Sequence, residues 1–200
     1  MDHDHDHEHD HDHDHEEDEE REELTDEQSR EYLRRLALAQ IRQYPDVALR
    51  MQAREVTEFD DYLVQLVERM QLLMRDAQGI GLAATQLGVL QRVFVFEPDE
   101  EGPRTVVNPR LDVIGPDRTT DEEGCLSLWE VRVPVERATH VVVEGKDPAG
   151  KDVRYDLEGL AARAVQHEID HLDGVLIIDR TDTEHRKQAL AKLRPQPVLR

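Results

Sequence analysis

The hexapeptide Gln-His-Glu-Ile-Asp-His at residues 166–171 constrains this chain more than any other segment. His167 and His171 are four residues apart, so in a helix they share one face, with Cβ atoms about 5–6 Å apart. That spacing lets two imidazoles bind one metal ion, and the Glu168 carboxylate then reaches a water at the ion. Two helix histidines that only fill space give the same pattern, so the motif alone leaves both interpretations open.

A helix carrying this segment is predicted from about Glu158 to Leu172, with its end near Gly174. Leu160 and Ala164 lie on the same helical face as the two histidines. An ion bound to that face is therefore expected to be partly buried, which requires other elements to pack around the helix.

Two further helices are predicted nearer the start of the chain. Thr25 and Gln28 fit a capping box for a helix over about 26–42. A second helix is predicted after Thr57, because apolar residues recur there every three or four positions as far as Ala77. The glycine-containing segment 79–81 that follows is expected to be a loop.

Short β-branched runs, separated by Gly and Pro, predict strands between the second helix and the last one. These runs span residues 93–96, 105–107, 111–114, 139–143 and 153–157. Helices followed by strands and then a helix indicate an α+β fold. We expect antiparallel or mixed strands packed around a central C-terminal helix that carries the H-E-x-x-H motif, with helices at the N-terminal side.

The negative charge of the chain is concentrated at its start. Residues 1–23 carry −13 of the net charge of −21, from seven Asp, seven Glu and one Arg. Their only apolar residue is Met1, so we expect a disordered His/Asp-rich acidic arm. Weak metal capture by its seven imidazoles and an added tag are alternative interpretations. We expect a catalytic domain over 24–182 and a basic, partly helical tail over 183–200.

Composition also limits the partners. An acidic chain matches neither the phosphates of DNA nor an anionic membrane surface, and no apolar run is long enough for a membrane helix. Cys125 is the only cysteine, which excludes an internal disulfide and favours a reducing, cytoplasmic location. We expect the chain to act as a monomer.

A catalytic metal site needs a third protein ligand besides the two histidines. Cys125, in Glu-Gly-Cys-Leu-Ser at 123–127, is a candidate because a thiolate is a strong soft ligand. A lone cysteine is more often a small buried residue, but the adjacent Gly124 permits close approach of the backbone. Glu184 and His185, downstream of the helix, are the alternative ligands.

The segment at 79–86, Gly-Ile-Gly-Leu-Ala-Ala-Thr-Gln, follows a predicted helix rather than a strand, which argues against a dinucleotide-binding loop. Its small residues suit a substrate backbone lying alongside. Gln86 is a candidate donor to an oxyanion that develops during amide hydrolysis, although a lone glutamine is more often simply solvated.

Taken in order, the three segments resemble the peptide deformylase family. The family patterns are G-φ-G-φ-A-A-x-Q, E-G-C-φ-S and H-E-φ-D-H, where φ is apolar, and the matching segments are 79–86, 123–127 and 167–171. The resemblance extends from about Ala37 to Asp179. It departs after Ser127, where Leu128-Trp129 stands in place of the apolar residue and proline that are usual in the family.

The resemblance implies removal of the N-formyl group from the N-terminal formylmethionine of new bacterial polypeptides, with release of formate. It implies Fe²⁺ as the metal, with Zn²⁺, Ni²⁺ or Co²⁺ able to replace it. The implied ligands are Cys125, His167 and His171, with water as the fourth. Glu168 is the implied proton carrier, while Gln86 and the backbone N–H of Leu126 are implied to hold the oxyanion.

N-Formylmethionyl peptides are the implied substrates, and the ribosome that makes them is a further expected partner. Gly81 is implied to pair with the substrate backbone. The expected substrate-binding residues are Gly81, Ile80, Gly124, Leu160 and Ala164. The altered loop after Ser127 is expected to change the substrate side of the site, and with it side-chain preference.

Two alternatives to a deformylase stay open at this point. A metal endopeptidase would use the same helix with a downstream His or Glu as third ligand instead of Cys125. A non-catalytic metal-binding module would retain the fold without needing Glu168 or Gln86, because neither is required merely to hold an ion. The third ligand separates the first alternative from a deformylase.

Overall fold

A computed structural model describes residues 25–99 and 102–193, so the acidic arm expected at 1–23 lies outside the described residues. The α-helices of the described residues are α1 (Asp26–Gln40), α2 (Asp61–Asp76), α3 (Gly159–Leu172), α4 (Ile177–Arg180) and α5 (Thr183–Lys192). The strands are β1 (Gly81–Ala83), β2 (Val93–Phe96), β3 (Arg104–Val113), β4 (Arg118–Cys125), β5 (Leu128–Ala138), β6 (His140–Lys146) and β7 (Asp152–Glu158). The α+β class predicted from the sequence is confirmed.

Capping side chains determine where the first two helices begin. The capping box predicted for α1 is present: the Thr25 hydroxyl accepts from the Gln28 N–H at 3.3 Å, and the Gln28 side-chain carbonyl accepts from the Thr25 N–H at 2.8 Å. α2 begins at Asp61 rather than directly after Thr57, because Asp60 caps it by accepting from the Leu63 N–H at 3.0 Å.

Five strands form one antiparallel sheet in the order β1-β2-β3-β6-β7. Successive residues of a strand point to opposite faces, and in β2 both faces are apolar. Val93 and Val95 pack into the core shared with α1 and α2, while Phe94 and Phe96 pack into the core shared with α3. The sheet therefore lies between the N-terminal helices and α3.

β3 is one strand where the sequence predicted two, at 105–107 and 111–114. Asn108 has a φ of 52°, and the pairing of β3 with β6 shifts register between Val107 and Arg110. The Asn108 side chain is bound to the backbone of Val56 by hydrogen bonds of 2.8 and 2.9 Å. Asn-Pro resembles a turn in the sequence, but here it forms a bulge that leaves the strand continuous.

β4 and β5 form a separate two-stranded hairpin whose turn is Leu126–Ser127, and the sequence analysis did not predict it. β4 is polar and mostly exposed, so it has no alternating apolar pattern. β5 does alternate, with Val131, Val133 and Val135 buried against α4 and α5, and it contains Pro134, a residue that is uncommon inside a sheet. The hairpin is the element that presents Cys125 to α3.

α3 contacts strands of both sheets and is the central helix that the sequence predicted. It ends at Leu172 as expected, and Gly174 follows with a φ of 73°. A Cβ at Gly174 would lie 2.6 Å from the carbonyl oxygen of Arg50, so only glycine fits this crossing. In the described parts of the chain, none of the helices combines the length and apolar character needed to cross a bilayer.

α5 lies within the segment expected to be a partly helical tail, and its Ala189 packs with the β5 core. The proposed divisions of the chain at 23/24 and 182/183 stay predictions.

Candidate metal-dependent active site

The three segments singled out in the sequence meet at one cavity of about 560 Å³. Gln86 comes from the turn after β1, Cys125 from the end of β4, and His167 and Glu168 from α3, and all four line this cavity. The turn carrying Leu126 is held in place by the N-terminal segment, since Gln43 donates to the Leu126 carbonyl at 2.8 Å. The cavity therefore depends on tertiary contacts between distant parts of the chain.

Cys125, His167 and His171 bring their ligand atoms together. The three atoms lie within 4.8 Å of one another, and Cys125 Sγ is 3.2 Å from His171 Nε2. Of the two alternative ligands, His185 lies on α5, where its Nδ1 contacts an Asp182 carboxylate oxygen at 2.6 Å. The described residues therefore group the cysteine, and no downstream residue, with the two histidines.

A buried carboxylate supports this group from behind. Glu123 Oε2 lies 3.1 Å from His167 Nδ1. The same carboxylate accepts two hydrogen bonds of 3.0 Å from Arg137 and one of 2.7 Å from Arg163. Although burial opposes ionisation, hydrogen bonds from His167 and Arg137 lower the pKa of Glu123 to about 2. Glu123 is thus a fixed negative charge that orients the His167 ring.

Asp170 extends the same ion-pair network on the far side of α3. It accepts from Arg137 at 2.6 Å and from Arg180 Nε at 3.0 Å. No role was predicted from the sequence for Glu123, Arg137 or Asp170. Glu123 and Asp170 do stand inside the matched motifs, which was the available signal, whereas nothing near Arg137 in the sequence marks it as a partner.

The two histidines have opposite protonation tendencies. Burial lowers the pKa of His171 well below its usual value, and the positive charges of His167 and Arg137 lower it further. Burial also lowers the pKa of His167, but hydrogen bonds to Cys125 and Glu123 outweigh it and raise the pKa well above its usual value. A cation would displace that proton, because metal ligands bind in their deprotonated forms.

Glu168 is buried, with 4% of its surface exposed, although it lines the cavity. Burial raises its pKa to about 7, while the charge of His167 opposes the shift and that of Glu123 adds to it. A carboxyl group titrating near neutral pH is suited to accept and return a proton there. Among the described residues nothing hydrogen-bonds to Glu168 Oε2 or to His171 Nδ1, although both atoms are buried. His171 Nδ1 is the ring nitrogen opposite the Nε2 that contacts Cys125. The unpartnered Glu168 oxygen, beside a thiol and two imidazoles, therefore fits a site for a cation and its water.

Gln86 is held in one orientation. Its carbonyl oxygen accepts from the Ala83 N–H at 2.8 Å, so its NH₂ group points the other way. That group donates to the Ser127 hydroxyl at 3.1 Å and lies 3.9 Å from Cys125 Sγ. The amide donor is thereby aimed at the hairpin turn next to Cys125.

Gly81 is a strand residue rather than part of a loop, since it begins β1 and pairs with Phe96. The expected loop at 79–81 is therefore wrong at its last position. A Cβ at Gly81 would lie 2.8 Å from the carboxyl carbon of Glu168. Glycine at position 81 leaves room for the Glu168 side chain. The sequence pattern alone does not reveal this reason for a glycine there.

We expect Gly81→Ala to lower turnover by displacing the Glu168 carboxylate, with the metal content unchanged. A loss of about 10-fold or more in kcat/KM is expected, because small misplacements of a reacting group carry large rate penalties. Steady-state rates and metal analysis on the same preparation test this. Wild-type kcat in the Gly81→Ala variant would show that the contact with Glu168 is unimportant.

The other residues expected at the substrate all line the cavity: Ile80, Gly124, Leu126, Leu160 and Ala164. Ile80 and Leu160 are 47% and 65% exposed and lie at its mouth, while Ala164 is buried. Their roles stay predictions.

An H-E-x-x-H helix whose histidines meet a cysteine sulfur beside a solvent-accessible cavity, in an α+β fold, is the arrangement of a metal-dependent hydrolase. The family model described as polypeptide deformylase matches residues 38–187, three quarters of the chain. This chain belongs to the polypeptide deformylase family.

Individual relatives agree with the family model. The peptide deformylase of Desulforudis audaxviator is 44% identical over 153 residues, which covers 76% of this chain and 99% of that protein. The crystal structure of a Synechococcus elongatus peptide deformylase in complex with actinonin has a TM-score of 0.72 and 38% identity, covering 76% of this chain and 85% of that chain. The Thermotoga maritima peptide deformylase structure has a TM-score of 0.68 and 46% identity, covering 71% and 96%.

Proposed function

We propose that this chain hydrolyses the N-terminal formyl group of formylmethionyl polypeptides and releases formate. One observation carries the proposal for this site: Cys125, rather than a downstream His or Glu, has its ligand atom within 4.8 Å of those of His167 and His171. That grouping favours a deformylase over an endopeptidase built on the same helix. The buried Glu168 beside it favours an enzyme over a module that only holds metal.

We assign Fe²⁺ as the metal, with Zn²⁺, Ni²⁺ or Co²⁺ as substitutes, held by Cys125, His167 and His171. When bound, such an ion supplies Lewis acidity, which lowers the pKa of a water towards neutrality and polarises a carbonyl. Glu123 supports the assignment: a hydrogen bond from His167 Nδ1 to its carboxylate leaves the other ring nitrogen free to act as a ligand.

The protein's own groups then move protons and hold charge. Glu168 accepts the proton of the attacking water and passes it to the amine as the carbon–nitrogen bond breaks. Negative charge develops on the formyl oxygen, where the amide of Gln86 and the backbone N–H of Leu126 act as donors. A fixed donor of this kind contributes roughly 2.7–4 kcal/mol to stabilising the transition state.

The methionine side chain is assigned to the apolar part of the cavity, against Ile80, Leu160 and Ala164. The edge of β1 at Gly81 and the backbone at Gly124, which lines the cavity, accept the substrate backbone. We further propose that the enzyme acts as a cytoplasmic monomer on chains leaving the ribosome. The single cysteine supports a reducing compartment.

Protein purified without oxygen and loaded with Fe²⁺ or Ni²⁺ should release formate from formyl-Met-Ala-Ser. The assay measures formate and free amine together, so cleavage of an internal bond is distinguished from deformylation. An acetylated peptide of the same sequence serves as the control. Absence of formate with all of Fe²⁺, Ni²⁺, Co²⁺ and Zn²⁺ would end the proposal, and internal cleavage without formate would favour the endopeptidase.

A further inference from the structure

An arginine from outside the family-matched residues lines the cavity. Arg34 belongs to α1, whereas the family match begins at residue 38. Its guanidinium carbon lies 5.0 Å from the centroid of the Trp129 ring, within the range of a cation–π contact. Trp129 is the residue that replaces the usual proline after the Cys-Leu-Ser sequence. The pair thus joins α1 to the loop that departs from the family pattern.

Exposure places this pair at the outer end of the cavity. Trp129 is 44% exposed, whereas Glu168, at the reacting end, is 4% exposed. Both residues line the same cavity, and Trp129 follows Cys125 by four positions on the hairpin. Glu130, the next residue, has a φ of 61°, so the local backbone is held in an unfavourable conformation just after the ring. The surrounding structure therefore specifies where the ring stands.

The donors of Arg34 are only partly used. Its Nε is buried, and nothing among the described residues accepts a hydrogen bond from it. Its Nη1 forms an ion pair with Glu31 at 3.6 Å, a separation longer than a hydrogen bond. The cation–π contact with Trp129 and the ion pair with Glu31 hold the guanidinium, whose side chain is 33% exposed. Because Nε is buried, the Nη groups are the donors that a bound peptide can use. A bound molecule with a hydrogen-bond acceptor for Arg34 and an apolar group for the Trp129 ring would fit this pair.

We propose that Arg34 and Trp129 form an outer subsite for the substrate residues downstream of formylmethionine. The inference rests on the proposed function. Arg34 donates to a backbone carbonyl of the peptide, and the exposed face of Trp129 packs against a neighbouring side chain. A backbone acceptor is required because newly made chains differ in sequence after the first residue and share only their peptide groups.

The test compares C-terminally amidated formyl-Met-Ala with formyl-Met-Ala-Ser-Ala on the metal-loaded enzyme. Amidation removes the terminal carboxylate, which would otherwise offer Arg34 a second kind of acceptor. We expect kcat/KM to be about tenfold higher for the longer peptide, mostly through KM, as one hydrogen bond to a charged donor allows. Arg34→Ala should reduce this ratio to near one, and Arg34→Lys should recover part of it.

Arg35→Ala is the matched control. Arg35 is adjacent on α1, is 75% exposed and pairs with Glu31 at 2.9 Å, yet it is absent from the described residues that line the cavity. In Arg35→Ala, the ratio of kcat/KM for the longer peptide to that for the shorter peptide should equal the wild-type ratio. Trp129→Pro, which restores the residue usual in the family, is a second variant and should also lower the ratio. Metal content measured on every variant identifies preparations that fail to fold.

Two results would overturn the subsite. One is equal kcat/KM of the wild type for both peptides, and the other is an unchanged ratio in Arg34→Ala, which includes a fall by the same factor for both peptides. Each of these leaves the deformylase proposal standing, because formate is still released. No formate from either peptide would overturn the proposed function, and the subsite with it.

Discussion

Glu168→Gln should lower kcat/KM for formyl-Met-Ala-Ser by about 10²–10⁴-fold while metal stays bound. Glutamine has nearly the same shape, so it fits the space beside Gly81, but it cannot accept the proton of the attacking water. The buried position of Glu168 and its pKa of about 7 make it the group best placed for proton transfer near neutral pH. Formate release and metal content, measured on one preparation, test the expectation.

Glu158→Gln is the matched control, because Glu158 lies at the start of α3 with a side chain that is 78% exposed. It should leave rate and metal content unchanged. If Glu168→Gln retained wild-type activity, the proton-carrier role would be wrong. If it lost its metal as well as its activity, Glu168 would contribute to holding the ion, and the two functions would not be separable as proposed.

Glu123→Ala should destabilise the protein by about 3–5 kcal/mol, which is a large fraction of the stability of a domain this size. The carboxylate is 5% exposed and binds both Arg137 and Arg163, so its removal takes three charge-assisted hydrogen bonds from two buried guanidinium groups. Arg137 then retains Asp170, and Arg163 retains the exposed Asp121 as its carboxylate partner. The measurement is the free energy of unfolding in denaturant. It should be made with saturating Ni²⁺ and again with a chelator, so that loss of metal is separated from loss of ion pairs.

Glu144→Ala provides the comparison for Glu123→Ala. Glu144 pairs with Arg154 at 2.9 Å, but both side chains are about half exposed, at 46% and 57%. An exposed pair contributes roughly 0–1 kcal/mol, so this variant should unfold almost as the wild type does. Equal losses of unfolding free energy in the two variants would show that the buried network stabilises the protein no more than an exposed ion pair does.

The parts of the site that local spacing determines were predictable. His167, Glu168 and His171 lie within five residues of one helix, so a sequence pattern is enough to place them on or beside one face. Strand β2 was predicted with its observed bounds, because four consecutive apolar β-forming residues fit a strand buried on both faces.

The parts that depend on distant pairing were not predictable. β4 is stabilised by its partner β5 rather than by its own pattern, so its polar sequence indicated no strand. Arg137 meets Glu123 across 14 positions and Asp170 across 33, and no local rule connects such residues. The contact between Arg34 and Trp129 likewise exists only because α1 packs next to the hairpin turn.

The most direct test of the central claim is X-ray absorption spectroscopy at the metal edge of the zinc-loaded protein. The account predicts one sulfur at about 2.3 Å and two imidazole nitrogens at about 2.0–2.1 Å from the ion, with the sulfur contribution lost in Cys125→Ala. A wild-type spectrum fitted by nitrogen and oxygen neighbours alone would contradict the placement of Cys125 beside His167 and His171 around one metal ion.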